Sequence, residues 1–189
     1  MRLQNLVENL TEKRTDYEFI SLSNPSGEYL EKIADAIEQG GQIKTSRDML
    51  MENLRKCRTI ALVLKNDDVA GIGALKIPRE SYKQDVFNKI GKPELARHFS
   101  YEMGYFYVNP AFRKDVAVIK GIMRELYKHR TNEHNIFMIL REGGHTDKPE
   151  LLRLLGFTSL GKYNNIKVYQ LVNWEHLRKK VRLDEGYKI

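Results

Sequence analysis

Residues 100 to 140 constrain the fold more than any other part of the chain. An apolar run, Tyr-Glu-Met-Gly-Tyr-Phe-Tyr-Val over 101–108, turns through Asn109-Pro110 into a segment where Val116, Ile119, Met123 and Leu126 recur at helical spacing. Asn135 then leads into Ile136-Phe137-Met138-Ile139-Leu140, too short and too evenly apolar for an amphipathic helix, and this predicts a strand buried on both faces. Strand, helix, strand in this order implies a right-handed crossover with parallel pairing. A chain organised around such a unit belongs to the mixed α/β (α+β) class.

The flanking segments predict antiparallel additions and covering helices. Leu30, Ile33, Ala34 and Ile37 follow Asn24-Pro25-Ser26 as one helical face, and Gly40-Gly41 ends it. Thr45, three residues before Asp48, is the expected cap of a second short helix carrying Met49, Leu50 and Leu54. Residues 58–65 and 69–77 flank Asn66-Asp67-Asp68 as a hairpin, and 157–162 and 166–172 flank Asn164-Asn165 as another. The connection over 78–99 is expected to hold helices near 82–90 and 94–98. Asp147-Lys148-Pro149-Glu150 has the residues of a helix start, Leu151, Leu152, Leu154 and Leu155 are its expected buried face, and Gly156 stops it. A basic helix from about Asn173 to Leu183, within a tail over 173–189, closes what reads as one domain over 1–189.

Composition excludes several classes. Hydrophobic residues at 41% and charged residues at 30% suit a folded, soluble chain rather than a disordered one. No apolar run approaches the roughly 20 residues of a membrane helix, and the polar N-terminus points to the cytoplasm. The lone Cys57 rules out an internal disulfide, and its neighbours Lys56 and Arg58 are of the kind that lower a thiol pKa. His98, His129, His134 and His176 show no metal-ligand spacing, so no metal is expected. A formal charge of +7, with Arg178, Lys179, Lys180 and Arg182 clustered near the end, suits an acidic partner: a nucleotide cofactor, a nucleic acid or an acidic protein.

The block Glu102-Met-Gly-Tyr-Phe-Tyr-Val-Asn-Pro-Ala-Phe-Arg113, with the later Leu-Leu-Arg-Leu-Leu-Gly156-Phe157, resembles the cofactor-binding core of the GCN5-related N-acetyltransferases over roughly residues 20 to 172. The resemblance implies a three-layer fold: a central, mostly antiparallel twisted sheet with one splayed parallel strand pair, flanked by helices. It implies acetyl-CoA as cosubstrate and an amine as acceptor, in a monomer or homodimer. Phe106, Tyr107 and Val108 would line the cleft that takes the pantetheine arm, with a backbone amide near Val108 polarising the thioester carbonyl. Arg113, Lys114, Asp115, Val116, Ala117 and Val118 would form the pyrophosphate loop. Val116 and Val118 stand at the family's two glycine positions, so backbone access to a phosphate is narrowed there.

By the same resemblance Glu102 would draw the proton from the amine, and it is expected to share a strand face with Gly104, Phe106 and Val108. The family's acid tyrosine falls on Leu152, leaving Tyr105, Tyr107 or Tyr163, or solvent, to reprotonate a thiolate. His145, after Gly143-Gly144, is a further proton-transfer candidate. The acceptor would be shaped by residues 20–55 and 78–99, with a small amine, a protein amine or an aminoacyl-tRNA amine as candidates. Against this stand a different acyl carrier and a non-catalytic binding or regulatory module, for which the basic charge makes nucleic acid a candidate partner.

Overall fold

The computed structural model describes residues 16–41, 45–129, 135–143, 152–153 and 155–171. In chain order the elements are β1 (Tyr17–Leu22), α1 (Gly27–Gln39), α2 (Arg47–Arg55), β2 (Thr59–Lys65), β3 (Asp68–Lys76) and α3 (Glu80–Lys89). A 3-10 turn at Pro93–His98 follows, then β4 (Phe99–Val108), a second 3-10 turn at Pro110–Phe112, α4 (Val116–Lys128), β5 (Asn135–Arg141), β6 (Thr158–Tyr163) and β7 (Ile166–Leu171). The strands form one sheet in the order β1-β2-β3-β4-β5-β7-β6. Every neighbouring pair is antiparallel except β4 and β5, which run parallel on either side of α4 as the crossover pattern predicts.

Period-two alternation in β2 divides the molecule into layers. Ile60, Leu62 and Leu64 face α1 and α2, while Ala61 and Val63 face α4. A third cluster, centred on Phe87, Phe99 and Phe137, packs α3 and the first 3-10 turn against β5 and β7. Phe137 thereby fills one face of β5 and Ile136, Met138 and Leu140 the other, which is why that strand is apolar throughout from Ile136 to Leu140.

Local chemistry sets the boundaries. The β2–β3 turn places Asn66 and Asp67 at φ of 51° and 70°, a conformation those side chains tolerate, and Asn164 repeats it at 49° between β6 and β7. The α2 cap is Ser46, whose hydroxyl accepts from the Met49 N–H, and not Thr45. Strand β1 has no counterpart in the sequence reading, because Tyr17–Leu22 is short, mixed in polarity and paired on one edge only, with β2. In α4 the expected Met123 and Leu126 are fully buried and Ile119 packs half-buried against the same cluster, with Val118 and Ile122 joining them, whereas Val116, the first helical residue, is 54% exposed.

Leu152 and Leu155 are buried as expected, the Phe157 N–H donates to the Leu152 carbonyl at 2.9 Å, and Gly156 takes φ 86° where the segment ends. The helix start at 147–150, Leu151, Leu154 and the basic segment over 173–189 lie outside the described residues. Among the described residues no helix is long and apolar enough to cross a membrane.

Candidate active site

The parallel pair does not run its full length. Its partners are Phe99 with Asn135, Tyr101 with Ile136, Glu102 with Phe137 and Met103 with Met138, and there the ladder stops. Just past that point Tyr105 adopts φ 50°, and three steps along β4, from Gly104 to Tyr107, are matched to two along β3, from Ala74 to Ile72. One extra residue of this kind bends a strand and re-aims its side chains. The remaining halves of β4 and β5 enclose a cleft of about 330 Å³, lined by Met103 to Tyr107, Met138 to Arg141, Gly40 and Gly41 at the end of α1, and the polar group Lys76, Tyr82 and Glu102.

The bulge decides which residues share a face. Met103, Phe106 and Val108 pack toward α4, while Tyr105 and Tyr107 pack toward α1 and α2. Glu102 is the direct cross-strand partner of Lys76, whose ammonium lies 5.0 Å from the Tyr105 ring centroid. Glu102 therefore keeps the company of Gly104, Tyr105 and Tyr107, and its expected grouping with Phe106 and Val108 is overturned by the extra residue. Phe106 still reaches the cleft wall, but Val108 lies beyond it, against the α4 cluster.

At 6% exposure, the Glu102 carboxylate needs partners, and it has two. The Lys76 ammonium stands 3.0 Å from one oxygen, and the Tyr82 hydroxyl donates to the other at 3.2 Å. Gly104 makes the ion pair possible, because a Cβ there would run into the Lys76 Cε and Nζ. Burial, followed by the charge of Glu102, drives the Tyr82 phenol well above its ordinary range. Burial likewise pushes Tyr105 up to about 12, with the nearby Cys57 and Glu102 adding to it. For Tyr107 burial raises the phenol and the charge of Arg113 opposes it. Cys57 is buried too, and desolvation pushes its thiol up to about 12, so the lowering suggested by Lys56 and Arg58 does not occur. His145 lies outside the described residues.

The start of α4 is built differently from an open anion site. Asp115 is the cap: its Oδ1 accepts from the Ala117 N–H at 2.9 Å, its carbonyl accepts from the Val118 N–H at 3.3 Å, and its own N–H donates to the Phe112 carbonyl at 2.9 Å. Its other carboxylate oxygen accepts from the Tyr17 hydroxyl at 2.8 Å. Arg113 is half-buried, and its buried Nε has no hydrogen-bond partner among the described residues. Lys114 and Lys120 are exposed.

Compared by sequence, the chain matches no family model and no curated protein. Compared by structure, it is similar to the ribosomal-protein-S18-alanine N-acetyltransferase from Escherichia coli, with a TM-score of 0.56 and 11% identity over 82% of this chain and 92% of that one. An N-acetyltransferase from Staphylococcus aureus Mu50 gives 0.54 and 14% identity over 83% of this chain and 99% of that one. Ard1 from Thermoplasma volcanium gives 0.54 and 11% identity, covering 82% and 95%. The fold is that of the GCN5-related N-acetyltransferases.

Within this acetyltransferase fold an acyl-CoA would meet two unequal halves at the candidate site. The parted strands leave the β5-facing edge of Gly104–Val108 without a ladder partner beside an apolar wall, which fits an extended thioester arm. The first turn of α4 does not fit a pyrophosphate: its Ala117 and Val118 amides are already taken and a fixed carboxylate stands among them. Lys76, Tyr82 and the capping role of Asp115 were not anticipated. Lys76 and Glu102 are charges on otherwise apolar strands, and pairing the strands in register would have brought them together; nothing local points to Tyr82.

Proposed function

We propose that this protein is an N-acyltransferase, moving an acyl group from a thioester, with acetyl-CoA the first donor to test, directly to an amine. The observation that carries the reading is the parting of β4 from β5 after Met103 and Met138, with the buried Glu102 carboxylate at the apex of the cleft so formed. The thioester supplies an activated acyl carbon; the chain supplies position and proton traffic.

Glu102 is the proton acceptor for the amine. Lys76 pairs with the carboxylate at a buried position through one oxygen, and Tyr82 holds it through the second. The amine nitrogen bonds the acyl carbon, its proton passes to Glu102 directly or through one water, and the carbon–sulfur bond breaks. Tyr105, which keeps its proton at neutral pH, is the hydroxyl on the cleft wall from which a departing thiolate is reprotonated. The partly apolar lining excludes bulk water from the thioester, which limits hydrolysis.

The test is thiol release from acetyl-CoA and from S-acetylpantetheine with a panel of small amines and peptide amines. Glu102→Gln is expected to slow turnover by about 10²–10⁴-fold while leaving donor binding, read as thermal stabilisation, unchanged. No thermal stabilisation by either donor, together with no amine-dependent thiol release, would overturn the reading.

A further inference from the structure

We propose that Asp115 acts as a built-in anion at the start of α4, so that this chain selects its acyl donor by the thioester arm and a diphosphate at the far end of that arm adds nothing to affinity. The inference rests on the acyl-transfer reading, and concerns which part of the donor is recognised.

Two hydrogen bonds from different parts of the chain fix the carboxylate. Tyr17, 98 residues earlier in the chain, donates to it at 2.8 Å. The Tyr17 ring packs edge-on against Phe112 at 6.1 Å, and the Lys65 ammonium sits 5.1 Å from the centre of the Tyr17 ring and 5.8 Å from that of Phe112. From the other side the Ala117 N–H binds Oδ1. A carboxylate so braced cannot swing aside for a ligand without breaking contacts to two other elements.

Its charge and hydrogen bonding both oppose a diphosphate. A helix start carries about half a positive charge, and one fixed carboxylate answers it. The amides that would grip phosphate oxygens are spent on the chain itself. Of the two valines, Val118 is buried beside Gly71, and Val116, 54% exposed, adds a branched side chain at the first turn. The nearby cations do not restore the site. Arg113 is half-buried and its charge is felt at Tyr107 on the cleft wall, and Lys114 and Lys120 are solvated, where screening leaves little attraction.

The experiment is calorimetric titration of wild type, Asp115→Asn and Asp115→Gly with acetyl-CoA, S-acetylpantetheine and the isolated head group 3′-phosphoadenosine 5′-diphosphate, at about 0.15 M salt. Asparagine keeps the cap and the Tyr17 contact, so that variant stays folded. Wild type is expected to bind the two thioesters within about threefold of each other and to give no heat with the head group. Asp115→Gly, which removes the carboxylate and frees the Ala117 amide, is expected to bind acetyl-CoA at least about tenfold more tightly with S-acetylpantetheine unmoved, and Asp115→Asn to fall between. A wild-type preference for acetyl-CoA of about tenfold or more, or a head group that binds all three proteins alike or none, overturns the assignment. Wild type binding neither thioester while Asp115→Gly takes up the head group removes the acyl-transfer reading and leaves the role of Asp115 standing.

Discussion

Replacing Gly104 by alanine tests the ion pair in the cleft without touching either charge. The backbone at Gly104 lies outside the left-handed region, so alanine fits the strand, but its Cβ meets the end of the Lys76 side chain. A lysine end moves cheaply, so the expected response is rotation of Lys76 away from Glu102. At 3.0 Å the attraction lost is about 5.5 kcal/mol for an effective dielectric of about 20. Most of it returns as hydration of Lys76, whose side chain is already 26% exposed, whereas the Glu102 side chain, 8% exposed, stays desolvated with only the Tyr82 hydroxyl. Breaking a buried pair in this way costs about 3 kcal/mol at the lower end of the usual range. Alanine recovers about 0.5–1 kcal/mol over glycine in a strand. The net loss is about 2 kcal/mol, read as a lower urea midpoint at unchanged slope. In a Glu102→Gln background the same substitution is expected to cost less than about 0.5 kcal/mol, since no charge is left unpaired. Equal costs in the two backgrounds would refute the idea that Gly104 exists to seat Lys76.

Two further outcomes follow from buried groups whose pKa values are raised. Tyr17 and Tyr105 both stand at about 12, chiefly through burial, and above the unfolded value of about 10. A raised pKa contributes stability that is whole below about 10 and is lost as pH climbs toward 12, so denaturation midpoints should fall across that window while phenolate absorbance lags that of the unfolded chain. Tyr17→Phe should cost about 1–2 kcal/mol at pH 7 and flatten part of the alkaline decline; an unaltered profile would show that Tyr17 is not tied to Asp115. Cys57, with its thiol pushed up to about 12 by burial and donating to the Asn53 carbonyl, should resist a disulfide reagent at pH 8 until the chain unfolds. Immediate stoichiometric reaction of the native protein would contradict its placement.

Periodicity made the fold legible where side chains on one element answer to one neighbouring layer. The alternation of β2, the stripe on α1 and the uninterrupted apolar run of β5 each record a single environment, and the tight turns at Asn66-Asp67 and Asn164-Asn165 record a backbone need that few residues meet. Legibility failed at β1, which borrows most of its order from β2, and at Val116, whose apolar side chain belongs to a helical pattern but projects past the layer it would join. It failed most consequentially inside β4. A bulge adds one residue without any compositional mark, since Tyr105 takes φ 50° without being glycine, asparagine or aspartate. Every face assignment beyond it changes sign, which moved Glu102 from the company of Phe106 and Val108 to that of Tyr105 and Tyr107.

The two acidic residues that define the site have the same history. In the sequence Glu102 and Asp115 are single negative charges in a chain with a formal excess of +7, and that excess invites the expectation of an electropositive cofactor route. In the fold each is answered locally, Glu102 by Lys76 and Tyr82, and Asp115 by Tyr17 and the start of α4. Net charge is a sum over the whole surface, whereas binding responds to the few groups within a Debye length, and closest of all to those already hydrogen-bonded. The charge at the apex of the cleft is paired and the start of α4 is capped by its own chain, so neither presents an unanswered charge to a polyanion. On the proposed acyl-transfer reading, the cleft is where a donor would lie, and Asp115 would decide which donors gain by lying there.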